Sequence, residues 1–205
     1  MRWGYILKVV GVLTLVLGLT MFFPAIVSLY YQDGGYFSWL IAIGITVSAG
    51  LLSVVVLRGS GTESLTKREG MAIVTIGWTV IGLFGALPFY LGIDGCSFID
   101  ALFESVSGFT TTGASILTDI EGVSKGLLFW RCFIQWLGGM GIIVLSVAIL
   151  PFLKVGGMQL YMAEVPSPVP DKLKPRVRDT AMVLWKVYAL ISLLQVLLLM
   201  LGGRT

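Results

Sequence analysis

The 205-residue sequence has no histidine, only two cysteines and few charged residues. Without histidine, the usual imidazole base of serine and cysteine hydrolases is missing, and so is a common ligand of zinc and copper. Cys96 and Cys132 are too few and too widely separated to form a cluster of soft metal ligands. A disulfide between them is one alternative. Two unpaired thiols, buried as small hydrophobic side chains, are the alternative that we expect.

Charged residues make up 12% of the chain, whereas 57% of the residues are hydrophobic and the mean hydropathy is +0.94. Soluble domains usually carry about 25% charged residues. The composition is therefore typical of a protein that lies in a lipid bilayer. The 14 basic residues form short clusters between apolar runs rather than one broad face, so we expect no nucleic acid partner.

Five apolar segments are long enough to cross the hydrocarbon core as helices, which takes about 20 residues each. They cover residues 6–30, 36–57, 71–91, 127–150 and 181–201. The first is longer than the apolar region of a signal peptide, and no small-residue cleavage pattern follows it. The sequence therefore predicts an all-α membrane protein in which this first segment is retained.

The basic residues also predict the orientation, because lysine and arginine in short loops are retained on the cytoplasmic side. With the N-terminus inside, eleven of the 14 basic residues fall on the cytoplasmic side. The other three are Lys125, Arg131 and Arg204. We therefore predict a multi-pass protein with a cytoplasmic N-terminus.

A short apolar segment, residues 98–109, lies between the third and fourth predicted spans. Phe98, Leu102, Val106 and Phe109 follow the spacing of one helical face. A Ser-x-x-Asp start signal precedes this pattern. About twelve residues are too few to cross a bilayer, and both ends lie outside in the predicted topology. The segment therefore predicts a re-entrant helix.

Thr110, Thr111, Thr112 and Gly113 follow this helix. Non-helical backbone at membrane depth is tolerated only where protein encloses it or where it lines a water-filled cavity. Carbonyl and hydroxyl oxygens of such a segment can replace the hydration shell of a potassium ion, and the negative C-terminal end of the helix favours a cation. The segment predicts one strand of a cation filter. A β-type turn after an interfacial helix is the alternative.

Several motifs resemble the Trk/Ktr/HKT superfamily of potassium transporters, most closely its bacterial TrkH-type subunits. The resemblance is carried by residues 103–115, 131–144, 156–161 and 171–176, and it continues into the last span. It implies a leading helix pair followed by four membrane-pore-membrane repeats, each like a potassium channel subunit with a re-entrant pore helix and a filter loop.

The resemblance also implies a function and a site. Thr110, Thr111, Thr112 and Gly113 would form one of four filter strands, with potassium bound at the carbonyl oxygens of Thr111 and Thr112 and with Gly113 as the filter glycine. Potassium, with sodium as a further candidate, would be the substrate rather than a cofactor, and no covalent cofactor is expected. The implied location is the bacterial inner membrane, and the implied partner is a cytoplasmic nucleotide-binding regulatory subunit.

With this fold as a guide, the chain divides into four predicted parts. They are the leading helix pair with its cytoplasmic loop (1–69), one membrane-pore-membrane repeat (70–153), a cytoplasmic connector (154–180) and the first span of an incomplete second repeat (181–205). Within the repeat we place spans at 71–91 and 127–150, the pore helix at 98–109 and the filter at 110–113. The other three filter strands would come from further repeats or from a homo-oligomer. A non-conducting fragment or an assembly subunit of a membrane complex is the alternative.

Arg131 lies near the outer end of a predicted span, where an unpaired charge costs a few kcal/mol. We expect it to pair with Glu104 or Asp100 on the pore helix and to support the pore, although snorkelling to the interface is an alternative. The two carboxylates also resemble a catalytic pair. No second group of catalytic residues accompanies them, so we do not expect an enzyme.

Gly138, Gly139 and Gly141 occur together within an apolar span. They do not match a dinucleotide-binding loop, because Val144 occupies the position of the third glycine and no strand is expected before them. Close packing of helices is the interpretation that we favour. The basic cluster at residues 172–178 suits anionic lipid headgroups, and by resemblance it also suits a regulatory subunit.

Overall fold

The computed structural model describes residues 1–59, 66–120, 122–153 and 177–203, and every regular element in these ranges is an α-helix. The helices are α1 (Trp3–Thr20), α2 (Phe22–Tyr31), α3 (Tyr36–Val56), α4 (Lys67–Gly85), α5 (Leu87–Gly92), α6 (Phe98–Phe109), α7 (Lys125–Leu153) and α8 (Val177–Leu201). The chain forms two compact units, Met1–Gly138 and Gly139–Thr205.

Four stretches of the described chain are long and apolar enough to cross a membrane. They are Trp3–Tyr31, Tyr36–Val56, Arg68–Gly92 and Ala181–Leu201. The predicted span at 127–150 falls within α7, which has 29 residues. The all-α membrane fold is therefore confirmed. Residues 154–176 of the predicted connector lie outside the described residues, and so does the basic cluster at 172–178 except for its last two residues, which belong to α8.

Small residues bring the leading helices together. A Cβ atom added to Gly50 of α3 would lie 2.7 Å from the backbone nitrogen of Leu15 of α1. On the other side of the contact, a Cβ at Gly18 would lie 2.7 Å from a methyl group of Val47. Close approach of this kind increases van der Waals contact between helices in a bilayer, where there is little hydrophobic driving force.

Aromatic side chains form the centre of the first unit. Trp39 of α3 and Trp130 of α7 are buried and meet edge to face, with ring centroids 5.9 Å apart. Trp130 also meets Phe109 of α6, and its indole nitrogen donates to the carbonyl oxygen of Gly85, 3.1 Å away. These contacts hold the end of α6 against α4 and α7.

Helix α6 begins at a capping box. The Ser97 hydroxyl accepts from the Asp100 amide, and the Asp100 carboxylate accepts from the Ser97 amide. Its buried side differs from the apolar stripe seen in the sequence, because Phe98 and Val106 are exposed. The side chains buried along α6 are mostly small or polar. They are Ala101, Glu104, Ser105, Ser107 and Phe109.

Candidate functional site

Residues 110–113 leave α6 in a tight turn. The amides of Thr110, Thr111 and Thr112 donate to the carbonyl oxygens of Val106, Gly108 and Ser107, at 2.9, 2.9 and 3.0 Å.

Thr111 has φ +58° and Gly113 has φ +76°, both in the left-handed region. Glycine adopts this conformation readily, whereas a β-branched threonine rarely does. The strain at Thr111 is typical of a backbone shaped by function.

Two carbonyl oxygens of this turn accept no hydrogen bond from the described part of the chain. They belong to Thr111 and Thr112. The neighbouring carbonyls are engaged, because the Thr110 oxygen accepts from the Thr111 hydroxyl at 2.7 Å and the Gly113 oxygen accepts from Arg131 at 3.2 Å. Thr111 and Thr112 are exposed, so their oxygens have room for a ligand.

The threonine hydroxyls bond locally. The Thr110 hydroxyl donates to the Val106 carbonyl at 2.8 Å, and it lies 2.8 Å from the hydroxyl of Thr112. These bonds stiffen the turn and leave the two backbone carbonyls as its free acceptors.

Glu104 and Arg131 form a salt bridge beneath the turn, with 3.1 Å between the arginine Nε and a glutamate oxygen. The Glu104 side chain is 1% exposed and that of Arg131 is 16% exposed. The predicted pairing of Arg131 is therefore confirmed, and Glu104 is the partner. Asp100 accepts from Ser97 in the capping box instead.

Two serines, neither of which was predicted as a site residue, complete the contacts of the segment. The Ser107 hydroxyl donates to the Ala114 carbonyl at 2.6 Å, and the Ser115 hydroxyl donates to Glu104 at 2.6 Å. Ser107 lies three residues after Glu104, on the same side of α6. A polar pair at this spacing within an apolar helix was the available signal.

Helix α7 approaches the end of α6 through a glycine. A Cβ atom added to Gly138 would overlap the carbonyl oxygen of Phe109, the last residue of α6. This agrees with the packing interpretation of the glycine run. Gly108 of α6 faces the side chain of Ile134 in the same interface.

Both cysteines are free thiols. The expectation that both are buried is wrong, since Cys96 is half-buried and Cys132 is exposed. Trp130 and Ile134 form the buried side of α7 here. Successive helical residues are about 100° apart, so Cys132 points away from that side.

The fold and the site together define an all-α membrane protein in which a short helix and an oxygen-lined turn lie between two longer apolar helices. A family described as TrkH, cation transport protein, matches residues 39–205. The chain therefore belongs to the TrkH family of cation transport proteins. This is a family of transporters, not of enzymes.

Individual relatives agree with this assignment. The Trk system potassium uptake protein TrkH of Halomonas elongata is 46% identical over 200 residues, covering 97% of this chain and 41% of the relative. TrkG of Escherichia coli K12 is 36% identical over 195 residues, covering 94% of this chain and 40% of the relative.

The crystal structure of the potassium transporter TrkH from Vibrio parahaemolyticus is also similar, with a TM-score of 0.85 and 37% identity. The match covers 100% of this chain and 41% of that one. The chain thus spans about two fifths of the length of the relatives that it matches.

Proposed function

We propose that this chain takes part in potassium transport across the bacterial inner membrane and that residues 110–113 supply one strand of the filter. The observation that carries the proposal is the pair of carbonyl oxygens on the exposed residues Thr111 and Thr112, which accept no hydrogen bond from the described part of the chain. Carbonyl oxygens are the groups that replace water around a potassium ion in a filter. The names of the relatives, potassium uptake proteins, support potassium as the substrate.

The electrostatics of the turn favour a cation. Residues 110–113 follow directly on the C-terminal end of α6, where the helix dipole is negative. One strand offers two such carbonyls, whereas a potassium filter surrounds the ion with carbonyl oxygens from four loops. Three further strands, from other repeats or other copies, would complete the filter. Sodium remains a second candidate substrate, and the proposal includes no covalently bound cofactor.

The proposal includes an orientation and a partner. The excess of basic residues on one side favours a cytoplasmic N-terminus. By resemblance we propose a cytoplasmic nucleotide-binding regulatory subunit that contacts the connector at residues 154–180. We also retain the four predicted parts of the chain, with boundaries after residues 69, 153 and 180.

Two glycines with nearly the same backbone angle test the filter. Gly113 has φ +76° and Gly95, in the loop before α6, has φ +75°. Neither glycine has close neighbours. A Cβ atom added to Gly113 would meet only the Gln135 side chain, at 3.8 Å, and a Cβ atom added to Gly95 would meet nothing within 4 Å. Alanine therefore introduces similar backbone strain, about 1–2 kcal/mol, at both positions.

Potassium uptake is measured in cells that lack their own uptake systems and express the gene encoding this chain. We expect Gly113→Ala to lower uptake about tenfold or more, which corresponds to about 1.4 kcal/mol. Gly95→Ala should retain most of the uptake. If Gly113→Ala transports as well as Gly95→Ala does, the filter assignment is wrong. A well-folded chain in the membrane with no flux at all would favour the assembly role.

A further inference from the structure

A charged pair holds both ends of the segment that follows these carbonyls, and the Ser107 hydroxyl bonds its middle at Ala114. We propose that Glu104 and Arg131 are positioning residues that fix the exit segment, residues 113–116, and thereby set which alkali ion the turn selects. This inference rests on the proposed filter at residues 110–113. It adds a determinant of selectivity that lies outside the filter sequence.

The Glu104 carboxylate contacts two residues of the exit segment. One of its oxygens accepts from the Ser115 hydroxyl at 2.6 Å and from the Ile116 amide at 2.7 Å. The other oxygen accepts from Arg131 Nε at 3.1 Å. With three donors and 1% exposure, this carboxylate is already satisfied and has no open side for an ion.

Arg131 contacts the exit segment at its other end. Its Nη2 atom donates to the Gly113 carbonyl at 3.2 Å, while its Nε atom donates to Glu104. The planar guanidinium fixes the direction of both bonds, which an ammonium group does not. The pair therefore links α6, α7 and the exit segment.

The pair reaches the ion path only through the backbone. None of its hydrogen bonds involves Thr111 or Thr112, but Gly113 follows Thr112 directly, so the direction of the Gly113 carbonyl constrains the peptide before it. Selectivity between alkali ions depends on the number and placement of coordinating oxygens. Because the pair is net neutral, it fixes these oxygens without adding a net charge beside the path.

The test compares the potassium-to-sodium uptake ratio of Glu104→Gln, Arg131→Lys and Arg131→Met with that of the unchanged protein, in the same cells. We expect Glu104→Gln and Arg131→Met to lower the ratio about tenfold, the effect of one lost hydrogen bond to a charged group. Arg131→Lys should lower the ratio less than Arg131→Met does. Lysine keeps the positive charge, but it cannot donate both hydrogen bonds in the fixed geometry of a guanidinium group.

A second ion pair, whose carboxylate is also buried, serves as the control. Glu69 is 2% exposed, and its carboxylate bonds Arg2 at 2.9 Å, away from the exit segment. Glu69→Gln removes a comparable charge pair, so it should lower the amount of folded protein without changing the ratio. An equal change of the ratio in Glu69→Gln would show general destabilisation and overturn the proposal.

A structural readout separates this inference from the proposed function. The Ile116 amide donates to Glu104 at 2.7 Å, so we expect it to exchange with deuterium severalfold faster in Glu104→Gln or Arg131→Met than in the unchanged protein. Unchanged exchange of this amide overturns the positioning role whether or not the protein transports. An unchanged ion ratio, in a protein whose uptake depends on Gly113, overturns the selectivity role and leaves the filter intact. If Gly113→Ala transports as well as Gly95→Ala does, the filter assignment itself is wrong.

Discussion

Replacing Gly138 with alanine tests whether the contact between α7 and the end of α6 is as close as the structure shows. The added Cβ would overlap the carbonyl oxygen of Phe109 and would lie 2.7 Å from its carbonyl carbon and 3.0 Å from its Cα. All three are backbone atoms, so no side chain can rotate away. One helix must move, and Phe109 directly precedes the turn at residues 110–113.

The expected size of the effect follows from two opposing terms. Adding a methyl group to a tightly packed site costs about 1–3 kcal/mol. Alanine gains up to about 1 kcal/mol over glycine in a helix. With the full helix gain subtracted, the net loss in the free energy of unfolding is up to about 2 kcal/mol. Transport should fall by a larger factor than the loss of stability alone would cause, because a shift of Phe109 displaces the carbonyls of the turn.

Two other glycines provide a graded control. Gly44, in the middle of α3, has nothing within 4 Å of an added Cβ, so Gly44→Ala should be neutral or slightly stabilising. At Gly108 the added Cβ meets the Ile134 side chain rather than backbone, so the loss there should be intermediate. Unfolding by SDS in detergent micelles, followed by tryptophan fluorescence, measures all three variants. If Gly138→Ala unfolds like Gly44→Ala, the reasoning about this contact is refuted.

Two further predictions concern polar contacts. Burial raises the pKa of Asp33, but hydrogen bonds from the Gly126 amide, the Ser28 hydroxyl and the Gly35 amide outweigh it, so its pKa lies below the ordinary value of 3.8. Its contribution to stability should be complete above about pH 3.8 and lost as pH falls through the lower folded pKa; an Asp33→Asn variant that keeps the full pH dependence would contradict this. Ser105→Ala removes a buried 2.8 Å bond from the Ser105 hydroxyl to the Gly82 carbonyl and should lower the unfolding free energy by about 0.5–1.5 kcal/mol, measured by the same SDS titration. No change on Ser105→Ala would mean that this bond does not hold α6 against α4.

The location of the short helix α6 was predictable because several signals agree. The start signal at Ser97, the length of the apolar run and the Thr-Thr-Thr-Gly segment all place a short helix and a turn between two spans. The structure has α6 at Phe98–Phe109, the predicted range. The residues that α6 buries were not predictable in the same way. A periodic apolar stripe identifies a face but does not show whether protein or lipid covers it, and Val106 of that stripe is 44% exposed.

The choice between Glu104 and Asp100 shows a similar limit. Both are acidic, lie on one helix and are four residues apart, so charge and spacing allow either to pair with Arg131. The capping box engages Asp100, which leaves Glu104 for the arginine. The contact of Gly138 with the Phe109 carbonyl likewise depends on how α7 crosses α6, which the glycine run does not specify.

Hydropathy, residue spacing and the threonine-glycine motif were sufficient for the membrane class, the helix order and the position of the turn, because these depend on local chain properties and on the length needed to cross a bilayer. The free carbonyls of Thr111 and Thr112, the salt bridge of Glu104 and the serine contacts depend on residues brought together from α6, the turn and α7. Hydrogen bonds over such distances in the chain require the relative positions of packed helices. Those positions come from side-chain fit in three dimensions, which a linear pattern does not contain.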